Sequence, residues 1–187
     1  MKLIVLDRDG VINEDSDEYI KSPDEWEPIP GSVEAIASLT QAGYSVIVIT
    51  NQSGLARGLF DITTLHAIHH KMQQVVNKAG GRIEAVLFCP HAPGDSCNCR
   101  KPKPGMLHSI MERLNIDLTD VPVVGDSLRD LQAAMAVGAA PVLVLTGKGE
   151  KTREVNPGLE DHIPVFKDLA AFVKDLLAES EQEAKGA

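Results

Sequence analysis

Residues 1–10 read MKLIVLDRDG, a short apolar run followed at once by two aspartates. The run at 3–6 contains no polar residue, which is typical of a strand buried on both faces of a parallel sheet. Similar apolar runs occur at 46–49, 85–88, 121–124 and 142–145. We therefore predict that residues 3–6 form the first of several parallel strands and that Asp7 and Asp9 lie just beyond its carboxyl end.

Segments with helical spacing separate these runs. Ser32 is predicted to cap the first helix, and Thr63 or Thr64 the second. A third helix follows Gly105, and a fourth begins at Leu128 and stops at Gly138. A last short strand near 163–166 precedes a helix over about 169–177. This alternation predicts an α/β fold with a doubly wound, Rossmann-like parallel sheet and right-handed crossovers.

Composition limits the class of protein. A chain of 187 residues, 43% hydrophobic, suits one domain, which we place at 1–178, with a frayed polar tail at 179–187. Because the formal net charge is −9, no nucleic-acid or membrane partner is expected. The short apolar run at the N-terminus does not resemble a signal peptide, so we expect a cytoplasmic protein. We also expect the protein to be a monomer.

Two long loops interrupt the regular alternation, at 11–31 and at 89–105. Both follow a predicted strand, and long loops in compact domains tend to be functional. Neither gap exceeds about twenty residues, which leaves no room for a large cap domain over a site. In the first loop we expect most of the acidic residues and their neighbours, such as Asp17 and Glu18, to be solvated.

Further acids follow the fourth predicted strand, in GDSLRD at 125–130. Ligands of doubly wound sheets bind where the strand order reverses, outside the carboxyl ends of the strands. If the first and fourth strands are neighbours, Asp7, Asp9 and Asp126 converge there. Crowded carboxylates raise one another's pKa or bind a cation, and Mg²⁺ prefers such oxygen ligands. Alternatively, the DxD is a turn and Asp126 or Asp130 caps a helix.

Groups suited to phosphate follow the second and third strands. Thr50 supplies a hydroxyl, and Asn51, Gln52 and Ser53 supply backbone or side-chain donors, unless they form only a polar turn. CRKPKPG at 99–105 places basic residues at the same edge, where cations stabilise a transferring phosphoryl group. These basic residues are Arg100, Lys101 and Lys103.

All three cysteines and one histidine lie within eleven residues, at Cys89, His91, Cys97 and Cys99. Three thiolates and an imidazole form the ligand set of a closed, structural zinc site. A redox pair, a disulfide and free thiols remain alternatives. The histidines at 66, 69 and 70 lack a ligand partner at helical spacing, so we expect them at the surface or boundary of a helix.

These motifs together, LDRDGV, Thr50, Lys101 and GDSLRD, resemble the haloacid dehalogenase-like (HAD) phosphatases. DRDGVIN, TNQSGLARG, CPH, CNCRKPKPGM and VGDSLRDLQAA are most similar to the branch of that family that acts on D-glycero-D-manno-heptose 1,7-bisphosphate. The resemblance extends over roughly residues 3–146. It implies a HAD core with a minimal loop cap, a structural zinc loop and two cofactors, Mg²⁺ and Zn²⁺.

The resemblance also implies a role for each motif residue. Asp7 would be the nucleophile that forms an aspartyl-phosphate, and Asp9 the general acid and base. Thr50 and Lys101 would stabilise the phosphoryl group. Mg²⁺ would be bound by Asp7, the main-chain carbonyl of Asp9, and Asp126. The residues expected to bind the sugar phosphate substrate are Asn51, Gln52, Ser53, Arg100, Asp15 and Tyr19, with Lys103 as an accessory charge.

The substrate implied is the heptose bisphosphate, which would lose its 7-phosphate in the synthesis of nucleotide-activated heptose for lipopolysaccharide. Histidinol-phosphate phosphatases share this loop and chemistry and are the nearest alternative. A phosphate-binding scaffold without turnover is disfavoured by the intact motif. A phosphomutase would need a cap that excludes water.

Overall fold

The structure, a computed structural model, describes residues 2–186, apart from the side chains of 181 and 183–186. Its six strands overlap the five predicted runs and the short sixth strand, with ends that differ by one or two residues at several of them. Their bounds are β1 Lys2–Leu6, β2 Tyr44–Asn51, β3 Ala85–Cys89, β4 Pro122–Gly125, β5 Ala140–Val144 and β6 Val165–Phe166. All neighbouring strands are parallel, in the order β3-β2-β1-β4-β5-β6, which confirms the predicted fold class.

Helices connect the strands. They are α1 Ser32–Gln41, α2 Ile62–Lys78, α3 Gly105–Leu114, α4 Leu128–Met135, α5 Gly149–Val155 and α6 Leu169–Gly186. Short 3₁₀ turns occur at Pro23–Glu25 and Leu159–Asp161. Helix α5 was not predicted. Helix α6 continues to Gly186, so the prediction that this helix ends near residue 177 is wrong.

Two predicted helix caps are also wrong. Ser32 is the first residue of α1, and its hydroxyl donates to the Ile12 carbonyl at 2.6 Å. This bond ties the loop at 11–31 to the helix. Helix α2 begins after Asp61, whose carboxylate accepts from the Thr64 amide at 2.7 Å. An acidic N-cap competes better than a threonine for the free amides of a first turn.

The strands are mostly apolar because both faces of the sheet are covered. Alternate side chains of β1 illustrate this: Ile4 and Leu6 pack with residues of α1, α2 and α6, whereas Leu3 and Val5 pack with residues of α3 and α4. Each such side chain contributes roughly 1.5–3 kcal/mol when buried. The core therefore has two layers, one on each side of the sheet.

The strand order reverses between β1 and β4, which are adjacent at the centre of the sheet. The connections run outward from this point in opposite directions, so a crevice opens there at the carboxyl edge. Both long loops border that edge. None of the described helices is long and apolar enough to cross a membrane.

Candidate active site and cysteine loop

Acidic residues meet at the reversal point, but the third carboxylate of the cluster is Asp130 and not the predicted Asp9. Asp7 follows β1 and Asp126 follows β4, and the Asp7 amide donates to the Val124 carbonyl at 2.9 Å. Carboxylate oxygens of Asp7, Asp126 and Asp130 lie within 4.8 Å of one another. The parallel register of β1 and β4 places the first two side by side.

Lys101 is the cation of this group, and it is buried with 3% of its surface exposed. Its Nζ lies 2.9 Å from Asp7 Oδ1 and 2.6 Å from Asp130 Oδ1, and donates to the Ile49 carbonyl at 3.2 Å. Burial alone lowers the pKa of Lys101, but Asp130 and Asp7 outweigh it and the pKa is raised. The ammonium therefore stays charged.

Asp130 combines a capping role with an ionic one. It is the third residue of α4, and its Oδ2 accepts from the Ser127 amide at 3.0 Å in a capping box. Its other oxygen pairs with Lys101. The predicted helix-cap alternative is thus correct for Asp130, which also anchors the cation of the site.

The acid cluster has more negative charge than its one buried ammonium balances. Burial, followed by the Asp130 charge, raises the pKa of Asp126 to about 7. Burial also raises the pKa of Asp7 well above its usual value, against the lowering effect of Lys101. A divalent cation with oxygen ligands would relieve this repulsion, so the donor set fits Mg²⁺.

A turn after β5, missed by the sequence analysis, encloses Asp126. Oδ2 of Asp126 accepts from the Lys148 amide at 2.8 Å. Gly10 and Gly147, both with positive φ, flank the carboxylate so closely that a Cβ at either position would overlap Asp126 Oδ2. The sequence TGKG at 146–149, directly after a strand, is the signal that could have indicated this turn.

Asp9 is surrounded by donors. Arg8 approaches it with two nitrogens, Nε at 3.0 Å and Nη2 at 2.8 Å from Oδ1, and Nη2 also donates to Oδ2 at 3.0 Å. Amide groups of Asn13 and Gln52 each donate at 2.9 Å. Burial opposes ionisation, but Arg8 and these amides lower the pKa of Asp9. These donors favour the carboxylate form of the side chain.

Arg8 connects Asp9 to helix α2. Its Nη1 lies 3.1 Å from His69 Nε2, and both residues are buried. The prediction that His69 belongs to the surface or boundary of a helix is therefore wrong, whereas His66 and His70 are exposed. A buried arginine directly after a strand requires such partners, but the sequence does not show which helix supplies them.

Residues after β2 have two kinds of role in the structure. Thr50 is buried, and its Oγ1 accepts from Gln52 Nε2 at 2.9 Å. The Asn51 amide group brackets Lys101, donating to its carbonyl at 3.1 Å and accepting from its amide at 3.0 Å. The side chains of Asn51 and Gln52 are thus engaged with protein partners, which the prediction of free donors did not anticipate.

A cleft of about 320 Å³ opens over these groups. Basic and acidic side chains that were not predicted also line it, among them Asp17, Arg57, Arg129 and Lys148. Every residue predicted to act in catalysis or substrate binding lines it: Asp7, Asp9, Asp15, Tyr19, Thr50, Asn51, Gln52, Ser53, Arg100, Lys101 and Asp126.

The loop at 11–31 forms one wall of the cleft and is not a solvated loop throughout. Trp26 is buried, and Lys71 of α2 donates to the carbonyls of Pro23 at 2.6 Å and Trp26 at 2.9 Å. Asp15 pairs with Lys148 Nζ at 3.0 Å. Tyr19 adopts a positive φ of 65° and faces the guanidinium of Arg57 at 6.0 Å.

The cysteine loop brings its four predicted ligands together at the end of β3. His91 Nδ1 lies 3.5 Å from Cys89 Sγ and 3.3 Å from Cys99 Sγ, and the sulfurs of Cys89 and Cys97 are 3.9 Å apart. The three thiols are not joined by disulfides.

These distances fit a tetrahedral zinc site. Zinc to sulfur distances of about 2.3 Å imply sulfur to sulfur separations of about 3.8 Å. Burial raises the pKa of the Cys89 thiol to about 12, so a thiolate at this position needs a cation. Four protein donors would leave no open position, which is typical of a structural site.

The same loop leads directly to the acid cluster. Arg100 Nη1 donates to the His91 carbonyl at 3.2 Å and also lines the cleft. Lys103 is exposed, and its Nζ donates to the Cys97 carbonyl at 2.6 Å. Lys101, and not Lys103, is therefore the cation that contacts Asp7.

Comparison with known proteins defines the class. The family described as haloacid dehalogenase-like hydrolase matches residues 4–78. A second family, described as HAD-hydrolase-like, matches residues 98–172. Together with close relatives over nearly the whole length, these matches show that the chain belongs to the haloacid dehalogenase-like hydrolases.

Several relatives are heptose bisphosphate phosphatases. The chain is 57% identical to D-glycero-beta-D-manno-heptose-1,7-bisphosphate 7-phosphatase of Bordetella bronchiseptica, over 96% of this chain and 100% of that one. It is 55% identical to the Pseudomonas putida enzyme of the same name, over 95% and 100%. The crystal structure of D,D-heptose 1,7-bisphosphate phosphatase from B. bronchiseptica, complexed with magnesium and phosphate, superposes with a TM-score of 0.93 at 57% identity, over 96% and 99%.

Proposed function

We propose that this chain is a Mg²⁺-dependent phosphomonoesterase that removes the 7-phosphate of D-glycero-D-manno-heptose 1,7-bisphosphate through an aspartyl-phosphate. One observation carries the chemistry: a buried ammonium, Lys101, lies between Asp7 and Asp130 beside Asp126 at the strand reversal. The names of the relatives, at 53–57% identity, support the substrate.

Asp7 is the proposed nucleophile. Its Oδ1 accepts from the Arg8 amide at 2.7 Å and pairs with Lys101, which fixes the carboxylate plane and leaves Oδ2 outside both contacts. A carboxylate oxygen of Asp7 attacks phosphorus, and the bond from phosphorus to the sugar oxygen breaks. Lys101 and the Thr50 hydroxyl stabilise the charge on the phosphoryl oxygens.

Asp9 is the proposed general acid and base. In its protonated form it donates a proton to the departing sugar oxygen. The resulting carboxylate then accepts a proton from the water that attacks the aspartyl-phosphate, which releases phosphate and regenerates Asp7. Its donors favour the carboxylate, the form that the second step requires.

Mg²⁺ would be held by Asp7, the main-chain carbonyl of Asp9, and Asp126, and would offset the repulsion between the nucleophile and an anionic phosphate. The close fit of Gly10 and Gly147 around Asp126 keeps that carboxylate in one orientation.

Zinc is proposed as the second, structural cofactor, bound by Cys89, His91, Cys97 and Cys99. Residues 93–96 of the loop are exposed, so the loop has no apolar core of its own. The metal would fix its path and thereby the positions of Arg100 and Lys101 at the cleft.

The substrate fits an open cleft of mixed charge. Arg100, Asn51, Gln52, Ser53, Asp15 and Tyr19 are the proposed substrate-binding residues, with Asn51 and Gln52 acting partly by holding Lys101 and Asp9. The product would be a sugar 1-phosphate for nucleotide activation in lipopolysaccharide heptose synthesis. The proposed unit is a cytoplasmic monomer with one phosphatase domain at 1–178 and a tail at 179–187.

One experiment separates the alternatives. Phosphate release is measured with and without Mg²⁺ on both anomers of heptose 1,7-bisphosphate and on histidinol phosphate. The proposal predicts a large Mg²⁺-dependent preference for a heptose bisphosphate. A preference for histidinol phosphate would refute the substrate but keep the chemistry, and binding without turnover of any of them would indicate a scaffold.

A further inference from the structure

A buried chain of three residues lies behind the proposed acid and base. Asp9 contacts Arg8, and Arg8 contacts His69 of α2. Arg8 is 0% exposed and His69 7% exposed. Neither Arg8 nor His69 lines the cleft, so neither contacts the substrate directly.

The direction of the hydrogen bond follows from the chemistry of the two groups. A guanidinium carries only donors, so Nε2 of His69 must accept and Nδ1 must carry the ring proton. Burial, and then the Arg8 charge, lowers the pKa of His69 to about 3, which agrees with a neutral ring. The ring packs against Phe88 of β3 at 6.0 Å between centroids, which limits its rotation.

Each nitrogen of the Arg8 guanidinium therefore has a hydrogen-bond partner. Nε and Nη2 face Asp9, and Nη1 faces His69. Because a guanidinium is planar and rigid, fixing Nη1 on one side orients the two nitrogens that grip the carboxylate on the other. Without an acceptor at position 69, a buried Nη1 would lack a partner, and Arg8 would turn to find one.

We propose that His69 is a positioning residue for Asp9: by accepting from Arg8, it sets the orientation in which Arg8 presents the Asp9 carboxylate to the cleft. This inference rests on the proposed role of Asp9 as general acid and base. Its consequence is specific, because misplacing a general acid slows the departure of a poor leaving group and has little effect on a good one.

The test compares two leaving groups. Heptose 1,7-bisphosphate releases an alkoxide that needs a proton, whereas 4-nitrophenyl phosphate releases a stable phenolate. The measured quantity is kcat/KM, which reports the steps up to phosphoryl transfer. The variants are His69→Leu, which removes the acceptor, and His69→Gln, which keeps an acceptor near the Nε2 position. Met72→Ala, a buried change one turn along α2, controls for loss of packing.

For His69→Leu we expect about a tenfold loss of kcat/KM on the heptose ester and less than a twofold loss on the nitrophenyl ester. His69→Gln should restore most of the loss, and Met72→Ala should not change the ratio of the two substrates. Equal losses on both esters in His69→Leu, or no loss on the heptose ester, would overturn the positioning role. A wild-type protein that releases no phosphate from the heptose ester would instead overturn the proposed function.

Nitrogen NMR tests the inference without activity. In protein with ¹⁵N-labelled histidine at pH 7, His69 should show a protonated Nδ1 and an unprotonated, hydrogen-bonded Nε2. A proton on Nε2 would overturn the inference, because that atom could not then accept from Arg8.

Discussion

Among the described residues, two clusters of side chains could hold a metal ion, and they are built in opposite ways. The acid cluster of Asp7, Asp126 and Asp130 joins residues that are far apart in the sequence, and it is held by the sheet, a capping box and a buried ammonium. The cysteine cluster comes from one loop of eleven residues, only its first member is buried, and its ligands face one another.

The difference indicates two roles: the acid cluster is suited to catalysis, and the cysteine cluster is suited to holding a loop in place. The acid cluster lines the cleft and has groups suited to attack phosphorus and transfer protons, whereas none of the four cysteine-loop ligands lines it. In our proposal the cysteine ligands act through Arg100 and Lys101, which follow the last of them along the chain. Changes in the acid cluster should therefore abolish turnover in a folded protein, and changes in the cysteine loop should weaken it in proportion to how far those two cations move.

The largest effect is expected for Asp7→Asn. An amide cannot attack phosphorus, so kcat should fall by a factor of ~10³ or more, while circular dichroism and thermal unfolding show a folded domain. Substantial activity in the purified, folded variant would place the chemistry elsewhere and remove the contrast between the two clusters.

The next effect is expected for Lys101→Met. It removes the cation from Asp7 and Asp130, so kcat/KM should fall by about 10² and the free energy of unfolding by about 3 kcal/mol. Lys103→Met is the matched control, since Lys103 is exposed two residues away and contacts only the cysteine loop among the described residues. Similar losses in both variants would show that general positive charge matters and not the buried pair.

A smaller effect is expected for Cys99→Ser. Loss of one ligand should release zinc, seen by elemental analysis, and lower kcat/KM about tenfold because Arg100 and Lys101 are no longer fixed. Wild-type protein reloaded with Cd²⁺, which takes the same ligands, should remain active. If zinc-free protein keeps its normal kcat and KM, the loop does not support the cleft.

The smallest effect concerns the free energy of unfolding and how it depends on pH through the buried His69. The pKa of His69 is lowered to about 3, against about 6.5 in an unfolded chain. The stability contributed by the neutral ring is present above about pH 6.5 and is lost as the pH falls toward 3. Between pH 7.5 and pH 5, wild type should lose about 2 kcal/mol from this group, measured by urea unfolding.

The variant His69→Gln serves as the control for this prediction, since glutamine does not titrate. Its unfolding free energy should fall less than that of the wild type over the same pH range. An equal fall in both proteins would mean that His69 is already protonated or unconstrained in the folded state.

The two clusters also differ in how much the sequence reveals. The cysteine ligands are predictable because their spacing is local, and Asp7 and Asp126 because apolar runs show where strands end. The choice of Lys101 over Lys103 came from the family resemblance. Partners that the fold brings from distant parts of the sequence were not predictable. The sequence places His69 at the surface or boundary of a helix because helical periodicity does not show a buried arginine opposite it. It gives no indication of Lys148 because the turn after β5 has no periodic signal.

Side chains that serve the protein itself were also misread. Asn51 and Gln52 have the chemistry of phosphate donors, but in the structure they hold Lys101 and Asp9. Composition gives the type of hydrogen bond that a residue makes, and only the fold determines whether its partner is a ligand or another residue.

The most direct test of the central claim is chemical trapping of the phosphoryl group. Enzyme mixed with heptose 1,7-bisphosphate and Mg²⁺ is quenched in acid within one turnover and reduced with borohydride, which converts an acyl phosphate to an alcohol. Mass spectrometry should then find homoserine at position 7, and none when Mg²⁺ is omitted. Modification at another residue, or turnover in Asp7→Asn, would contradict the account.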